Sequence, residues 1–262
     1  MEIKMNVVEI KKRREKIIDL IREHGKLSTV HGSDIFNVSL ETIRQDFLFL
    51  ENKKVVKKIY GGAILYNSDK VEPLQKRNLE NFTLKFAIAK KAMEQIDFSS
   101  TITIGLDAGS TVSLLSELLA ERTHNIIVSN SMPVAQYIAG TENRLYLLGG
   151  EYNSHDMAFH GEQTLAALRE LSLDLCFLGT SGVQNRQGIC SKDFKDIATK
   201  REFIKRSKRN ILLTDSSKFQ KSSLIEVARW EEIDLLITDY KIPPEILEQL
   251  QTKVEVIIAH LS

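Results

Sequence analysis

Residues 104–115 read IGLDAGSTVSLL: an apolar run closed by Asp107, then Ala108, Gly109, Ser110 and Thr111, then an apolar repeat at helical spacing. Small residues let backbone N–H groups approach an anion, hydroxyls add donors, and a following helix contributes the positive end of its dipole. A phosphate suits that chemistry. A strand–turn–helix junction needs small residues and an N-cap in any case, and Gly109 and Ser110 supply them without a ligand. The stretch also lacks the lysine of the longer Walker pattern, so these residues alone leave both readings open.

Other apolar runs end in residues of the same kind. Ser129 and Asn130 follow NIIV, Gly149 and Gly150 follow RLYLL, Gly179 to Gly182 follow LDLCFL, Asp215 and Lys218 follow NILLT, and Asp239 closes DLLIT. These runs and VEVIIA lack clean period-two alternation and are mostly separated by helical segments such as STVSLLSELLAE and GEQTLAALREL, which predicts a largely parallel sheet covered on both faces. In such folds ligands bind outside the carboxyl ends of the strands, where all these residues would gather. Lys218 can meet the same anion or simply be hydrated. The basic helix KREFIKRSKR (200–209) reads as a solvated face rather than a phosphate clamp, and Cys176 and Phe177 read as core.

The first sixty residues have a different character. They carry thirteen Lys/Arg against nine Asp/Glu, while the remainder is slightly acidic. That excess suits a polyanion and equally suits solvated helices. Val7, Ile10, Ile17, Ile18 and Ile21 form a helical stripe ahead of Gly25, a left-handed cap candidate. A poorer helix over roughly 29–36 precedes Asn37, which tolerates positive φ. Ser39 can then cap a helix whose Ile43, Phe47 and Leu50 share a face. NKKVVKKIYGG predicts a small basic hairpin, and Gly61 to about Phe82 a hinge followed by a linker.

VSLETIRQDF, KKIYGGA (57–63), LDAGST, VSNS, LLGG, FLGTSGV and LLTDSSKF (212–219) occur in one order and spacing, in which the chain resembles bacterial transcription regulators of the DeoR type over almost its full length. The resemblance implies a winged helix-turn-helix over 1–62, a hinge and linker over 63–82, and an effector-sensing α/β domain over 83–262. That sensor would be doubly wound, with a largely parallel sheet similar to ribose-5-phosphate isomerase and a phosphorylated sugar or related metabolite as effector. Ser39, Leu40, Glu41, Thr42, Arg44 and Gln45 would meet the major groove, with Arg44 on phosphate or guanine and Gln45 on adenine. Lys53, Lys54, Lys57 and Lys58 would hold backbone phosphates. The effector set is Asp107, Ala108, Gly109, Ser110, Thr111, Ser129, Asn130, Gly149, Gly150, Gly179, Asp215 and Lys218. Gly32 stands where the family usually has leucine, implying a short or loosened second helix, and Gln45 where it usually has arginine. One such domain covers little duplex, so a homodimer or homotetramer is expected on repeated half-sites.

Composition narrows the alternatives. With 42% hydrophobic residues and four prolines the chain can bury a core and is neither disordered nor fibrous. It has no apolar run near the ~18 residues that span a bilayer, and its charged amino terminus lacks a signal-peptide pattern, so a soluble cytoplasmic protein is expected. Cys176 and Cys190, the latter assigned to a loop, suit a reducing compartment. His24, His31, His124, His155, His160 and His260 are scattered without metal spacing, so no metal or cofactor is expected. The rival reading is a sugar-phosphate isomerase with an accessory domain. It needs a positioned base, and GTSGVQNRQG (179–188), which corresponds to the acidic cluster of those enzymes, contains no carboxylate. A scaffold that binds neither DNA nor metabolite would leave the small and hydroxyl residues at the strand ends unexplained.

Overall fold

Ile17 and Ile21 lie one turn apart on a helix, as do Ile43 and Phe47 on another, and all four are buried in one core with Leu50 and Val56. Each such side chain contributes roughly 1.5–3 kcal/mol on burial. The computed structural model describes residues 7–24, 26–53, 55–59, 61–65, 74, 77 and 80–261, and the chain divides into two compact units, 1–70 and 71–262. The first contains α1 (Val7–His24), β1 (Lys26–Ser28), α2 (Thr29–Phe36), α3 (Leu40–Asn52), β2 (Val56–Ile59) and β3 (Gly62–Leu65). Gly25 and Lys54, assigned above to a cap and to the wing, lie outside the described residues, as does most of the expected linker.

Two helix ends set the turn between α2 and α3. Asn37 takes the left-handed conformation (φ 50°, ψ 49°) and its N–H donates to the Ser33 carbonyl, which ends α2. Ser39 then returns to extended backbone and its Oγ accepts from the Thr42 N–H at 3.1 Å, which starts α3. The second helix is short, as the resemblance implied, but it is not loose. Ser28 caps its start, and Gly32 is buried so closely over Ile43 that an added Cβ would stand 3.2 Å from Cγ2.

The expected hairpin is β2 with β3, and it does not stand alone. Strand β3 pairs antiparallel with both β1 and β2, making a three-stranded sheet. Gly61, at φ 78°, turns the hairpin, and its carbonyl accepts from the Thr29 N–H. A Cβ on Gly62 would come within 2.4 Å of the Leu27 carbonyl oxygen. Gly61 therefore serves the turn and Gly62 the close strand approach within the wing, and the hinge expected at Gly61 and Gly62 is not there.

In the second unit seven strands form one sheet, ordered β14-β13-β11-β9-β4-β5-β6, with every pair parallel. In chain order they are β4 (Thr103–Leu106), β5 (Ile126–Ser129), β6 (Arg144–Leu147), β9 (Leu173–Leu178), β11 (Ser207–Leu213), β13 (Leu235–Asp239) and β14 (Glu255–Ala259). Helices α4 (Phe82–Met93), α5 (Ser110–Leu119) and α6 (Met132–Ile138) belong to one face; α7 (Glu162–Arg169), α8 (Phe194–Arg206) and α9 (Pro244–Gln251) belong to the other. Phe177, Ile211 and Leu213 join the first core, while Cys176, Leu178 and Leu212 join the second. Both faces being buried, alternation exists in space but not in hydrophobicity. Two small antiparallel pairs, β7 (Glu151–Asn153) with β8 (Ala158–His160) and β10 (Gly188–Ser191) with β12 (Ile225–Arg229), complete the unit. Cys190, expected in a loop, is buried on β10, because the short run GICS is sealed by pairing rather than by length. Among the described residues no helix is long and apolar enough to cross a membrane.

Candidate functional site

From β4 the chain proceeds through β5 to β6 at one edge, and from β9 through β11 and β13 to β14 at the other. The neighbours β4 and β9 are therefore the switch point, where departing connections leave a crevice at the carboxyl ends. A cavity lies there. Ala108, Gly109, Ser110 and Thr111 line one side, Gly179, Thr180 and Ser181 another, and Thr214, Asp215 and Lys218 a third. Gly109 is the extended N-cap of the ten-residue helix α5, and no side chain caps that helix. Its first-turn N–H groups thus reach the cavity wall with the helix dipole behind them. Thr214, 2% exposed, also lines the cavity, and its Oγ1 has no hydrogen-bond partner in the protein.

Cations gather at this end. Burial pushes the Lys218 ammonium down to about 8; Asp215 opposes the shift, and Lys221, Lys85 and Arg77 add to it. Burial likewise lowers Lys85. Asp215 is held below the usual carboxylate range. Burial works against that, but the Ser217 hydrogen bond, Lys218, Lys85 and the Asn81 amide outweigh it.

Five residues of the expected effector set do not line the cavity. Asp107 is fully buried and its Oδ2 accepts from the Gly179 N–H and from Lys200 Nζ, fastening the two loops together. Ser129 Oγ donates to the Leu106 carbonyl at 2.7 Å, and Asn130 Nδ2 donates to the Phe159 carbonyl at 2.9 Å. The Gly149 carbonyl accepts from Thr164 Oγ1, and Gly150 lies directly beneath the His160 carbonyl. Strand ends inside a covered sheet have backbone groups of their own to satisfy, and these residues do that.

The sequence reading also missed part of the lining. Asn153, His155 and Asp156 arrive on the β7–β8 connection, and Ser191, Asp193, Asp196 and Lys200 around the start of α8. Lys200, assigned to a solvated face, is 3% exposed and sits between Asp107 and Asp196. Its position was readable: it falls three residues from both Ile197 and Phe203, which are buried. Burial works against its charge, but Asp107 and Asp196 outweigh it and hold the ammonium above its usual value. Burial pushes Asp196 up, and Asp107 adds to that shift. Carboxylates are thus present in the pocket although 179–188 has none. Each already has work: Asp193 caps α8 and accepts from Asn153, Asp196 accepts from Ser191, and Asp156 pairs with His160 at 2.8 Å.

The first unit presents its own surface. Along α3, Ile43, Asp46, Phe47 and Leu50 are buried, while Leu40, Glu41, Arg44 and Gln45 are exposed and Thr42 is half-buried. Ser39 and Thr42 share a hydroxyl hydrogen bond at 2.8 Å. Glu41 takes Gln45 Nε2 at 2.9 Å and Arg44 Nη1 at 3.4 Å, so both donors are pre-aligned on one exposed carboxylate. The Gln45 hydrogen bond, then Arg44, lower the Glu41 carboxyl. Lys53 is exposed at the end of α3, with its ammonium 5.9 Å from the Phe49 ring centre, and Lys57 and Lys58 are exposed on β2. These residues share one small unit whose two-helix turn and hairpin match the geometry of a groove-reading module.

Comparisons with known proteins agree with this division. Residues 13–69 match the family described as DeoR-like helix-turn-helix domain, and residues 80–240 that described as DeoR C terminal sensor domain. The chain is 32% identical over 251 residues to a protein named putative aga operon transcriptional repressor from Escherichia coli O157:H7, across 94% of this chain and 93% of that one. It is 31% identical over 239 residues to the glycerol-3-phosphate regulon repressor of Escherichia coli K12, across 91% and 94%. A solved ribose 5-phosphate isomerase A from Methanocaldococcus jannaschii overlaps 53% of this chain and 55% of its own at 19% identity with a TM-score of 0.40, too loose an overlap to add to the strand order.

Proposed function

Because this chain belongs to the DeoR family of transcriptional regulators, we propose that it represses a carbohydrate operon and that a phosphorylated sugar or related metabolite in the sensor pocket relieves that repression. The observation that carries the effector reading is the uncapped amino end of α5 opening on a cavity that also holds Lys218. The names of the relatives, repressors of an aga operon and of a glycerol-3-phosphate regulon, support a carbohydrate operon. The protein works in the cytoplasm as a homodimer or homotetramer, since one winged unit covers too little duplex for tight specific binding.

The isomerase alternative is disfavoured by the engagement of the pocket carboxylates. A base that moves a proton beside a carbonyl must reach the substrate, whereas Asp193, Asp196 and Asp156 are bound to a helix start, a serine and a histidine, and Asp215 to Asn81 and Ser217. Purified protein melted against a panel of sugar phosphates separates the readings. A raised melting temperature without turnover is expected; turnover would establish the enzyme, and silence across the panel would remove the sensor.

The ammonium at about 8 gives effector binding a pH signature. A phosphate dianion beside Lys218 raises its value in the complex, so binding takes up a proton between the free and bound values. Affinity then falls as pH rises through the free value, being about twofold weaker at pH 8 and ~10-fold weaker near pH 9 than in the protonated limit. Calorimetry in buffers of different ionisation enthalpy reads the proton directly, and an affinity unchanged from pH 7 to 9.5 would take Lys218 off the phosphate.

On the DNA side, Arg44→Ala is expected to weaken specific retardation of the operator ~10- to 100-fold, the loss of one bidentate base contact or of a charged phosphate contact. Retardation at unaltered protein concentration would move recognition away from α3.

A further inference from the structure

The chain enters its second unit through residues just beyond 70, and two residues of that stretch are fixed at the pocket. Leu74 is buried, and its N–H donates at 3.1 Å to the carbonyl of His155, a pocket residue. Arg77 itself lines the cavity. Its carbonyl accepts from Lys85 Nζ at 2.6 Å, and Lys85 is only 2% exposed. A lysine is rarely buried to that extent unless its ammonium holds something in place. Here it holds the backbone that carries Arg77.

Charge indicates what that arrangement awaits. Lys218, Lys85, Lys221 and Arg77 all act on Asp215, or on one another around it. That carboxylate already accepts from Asn81 at 2.9 Å and from the Ser217 hydroxyl at 2.5 Å. Four cations around two carboxylates, Asp215 and Glu80, leave a positive excess that favours a doubly charged anion over a neutral polyol, by Coulomb attraction in a partly desolvated site.

Resting on the phosphate reading above, we propose that Arg77 is the second cation on the effector's phosphate, and that occupancy of the pocket thereby steadies the backbone at Leu74 and Arg77. The ligand class is a phosphomonoester dianion held between Arg77 and Lys218 beside the start of α5. Occupancy favours the arrangement in which Leu74 and Arg77 are held at the pocket, because Arg77 bonds the phosphate only there. An effector without the phosphate fails to act even when its sugar fits.

The test uses the full chain with inorganic phosphate as probe, read by calorimetry and by hydrogen exchange at the Leu74 amide. Phosphate is expected to slow Leu74 exchange in the unaltered protein. Arg77→Gln should bind phosphate ~10- to 100-fold more weakly, the loss of a charge-assisted hydrogen bond, and phosphate at saturation should leave its Leu74 exchange unchanged. Arg77→Lys, which keeps the charge and guards against a folding artefact, should recover part of the affinity. Should Lys218→Gln lose phosphate while Arg77→Gln binds it normally, the phosphate reading stands and the role of Arg77 falls. Phosphate-slowed exchange persisting in Arg77→Gln overturns the coupling, and an unaltered protein that binds no phosphate overturns both.

Discussion

An Asp46→Ala protein is expected to lose operator retardation altogether while its sensor unit still responds to effector. Asp46 lies on α3 at 1% exposure and accepts from two guanidinium groups of α1, Arg13 Nε at 2.6 Å and Arg14 Nε at 2.7 Å. Its two oxygens thus tie the first helix to the recognition helix from the buried side. Removing one partner of such a pair costs ~3–5 kcal/mol, because the other charges stay desolvated. A unit of this size has a total stability of ~3–10 kcal/mol, so the loss is most or all of it. Arg14 also stacks on Phe49, 3.7 Å from the ring centre, and a displaced guanidinium loses that contact too. Calorimetry should show the transition of the first unit lowered or missing and that of the second unchanged. Asp46→Asn keeps an acceptor and should retain part of the first transition. If Asp46→Ala melts and retards DNA like the unaltered protein, the buried clamp contributes nothing. The contrast with Arg44→Ala is diagnostic, since that variant should weaken DNA binding with both transitions intact.

The same contrast between exposed and buried charge explains how far the sequence could be read. In α3 the apolar spacing of Ile43, Phe47 and Leu50 located the buried face, and the exposed donors followed by subtraction. Asp46 was invisible, because a lone acid beside a buried position carries no period; its role depends on Arg13 and Arg14, some thirty residues away. The parallel sheet was legible from seven apolar runs, and the cradle at Ala108 to Thr111 from residue size. The far wall of the pocket was not legible. Asn153 ends a strand of three residues and His155 and Asp156 lie in the turn to the next, also of three, and strands that short carry no hydrophobic pattern. At the strand ends the polar residues were found but their tasks were confused: Ser129 and Asn130 satisfy backbone groups, whereas Ser110 and Thr111 face the cavity. Sequence gives the polar inventory of a strand end, while the direction of each side chain depends on which neighbour the topology places beside it.

Lys200→Met should lower the melting temperature of the sensor unit sharply at neutral pH and much less in acid. The ammonium is buried between Asp107 and Asp196, whose carboxylates otherwise face one another without compensation. Methionine keeps the length and removes the charge, so the cost is that of two desolvated carboxylates, ~3–5 kcal/mol by analogy with other broken buried pairs. For a unit of this size that is a fall of roughly 10 °C. The pH dependence follows from the direction of the shift. Asp196 is already pushed up by burial, and without its ammonium it rises further. A carboxyl whose folded value lies above its unfolded value of ~3.9 costs nothing below that value and destabilises progressively as pH rises through the folded one. Lys200 in the unaltered protein contributes in the opposite sense. Its raised value means that its contribution is complete below the ordinary lysine range and is lost only in strong alkali. The difference between the two proteins should therefore narrow from pH 7 toward pH 5, protonation doing for the variant what the ammonium does for the unaltered chain. Effector binding should follow the same course, because Asp107 immediately precedes the turn that starts α5 and an uncompensated charge there repels the phosphate. A deficit that stays constant across that range would mean that the cost is one of packing, and that the Asp107–Lys200–Asp196 cluster is not an electrostatic support for the anion site.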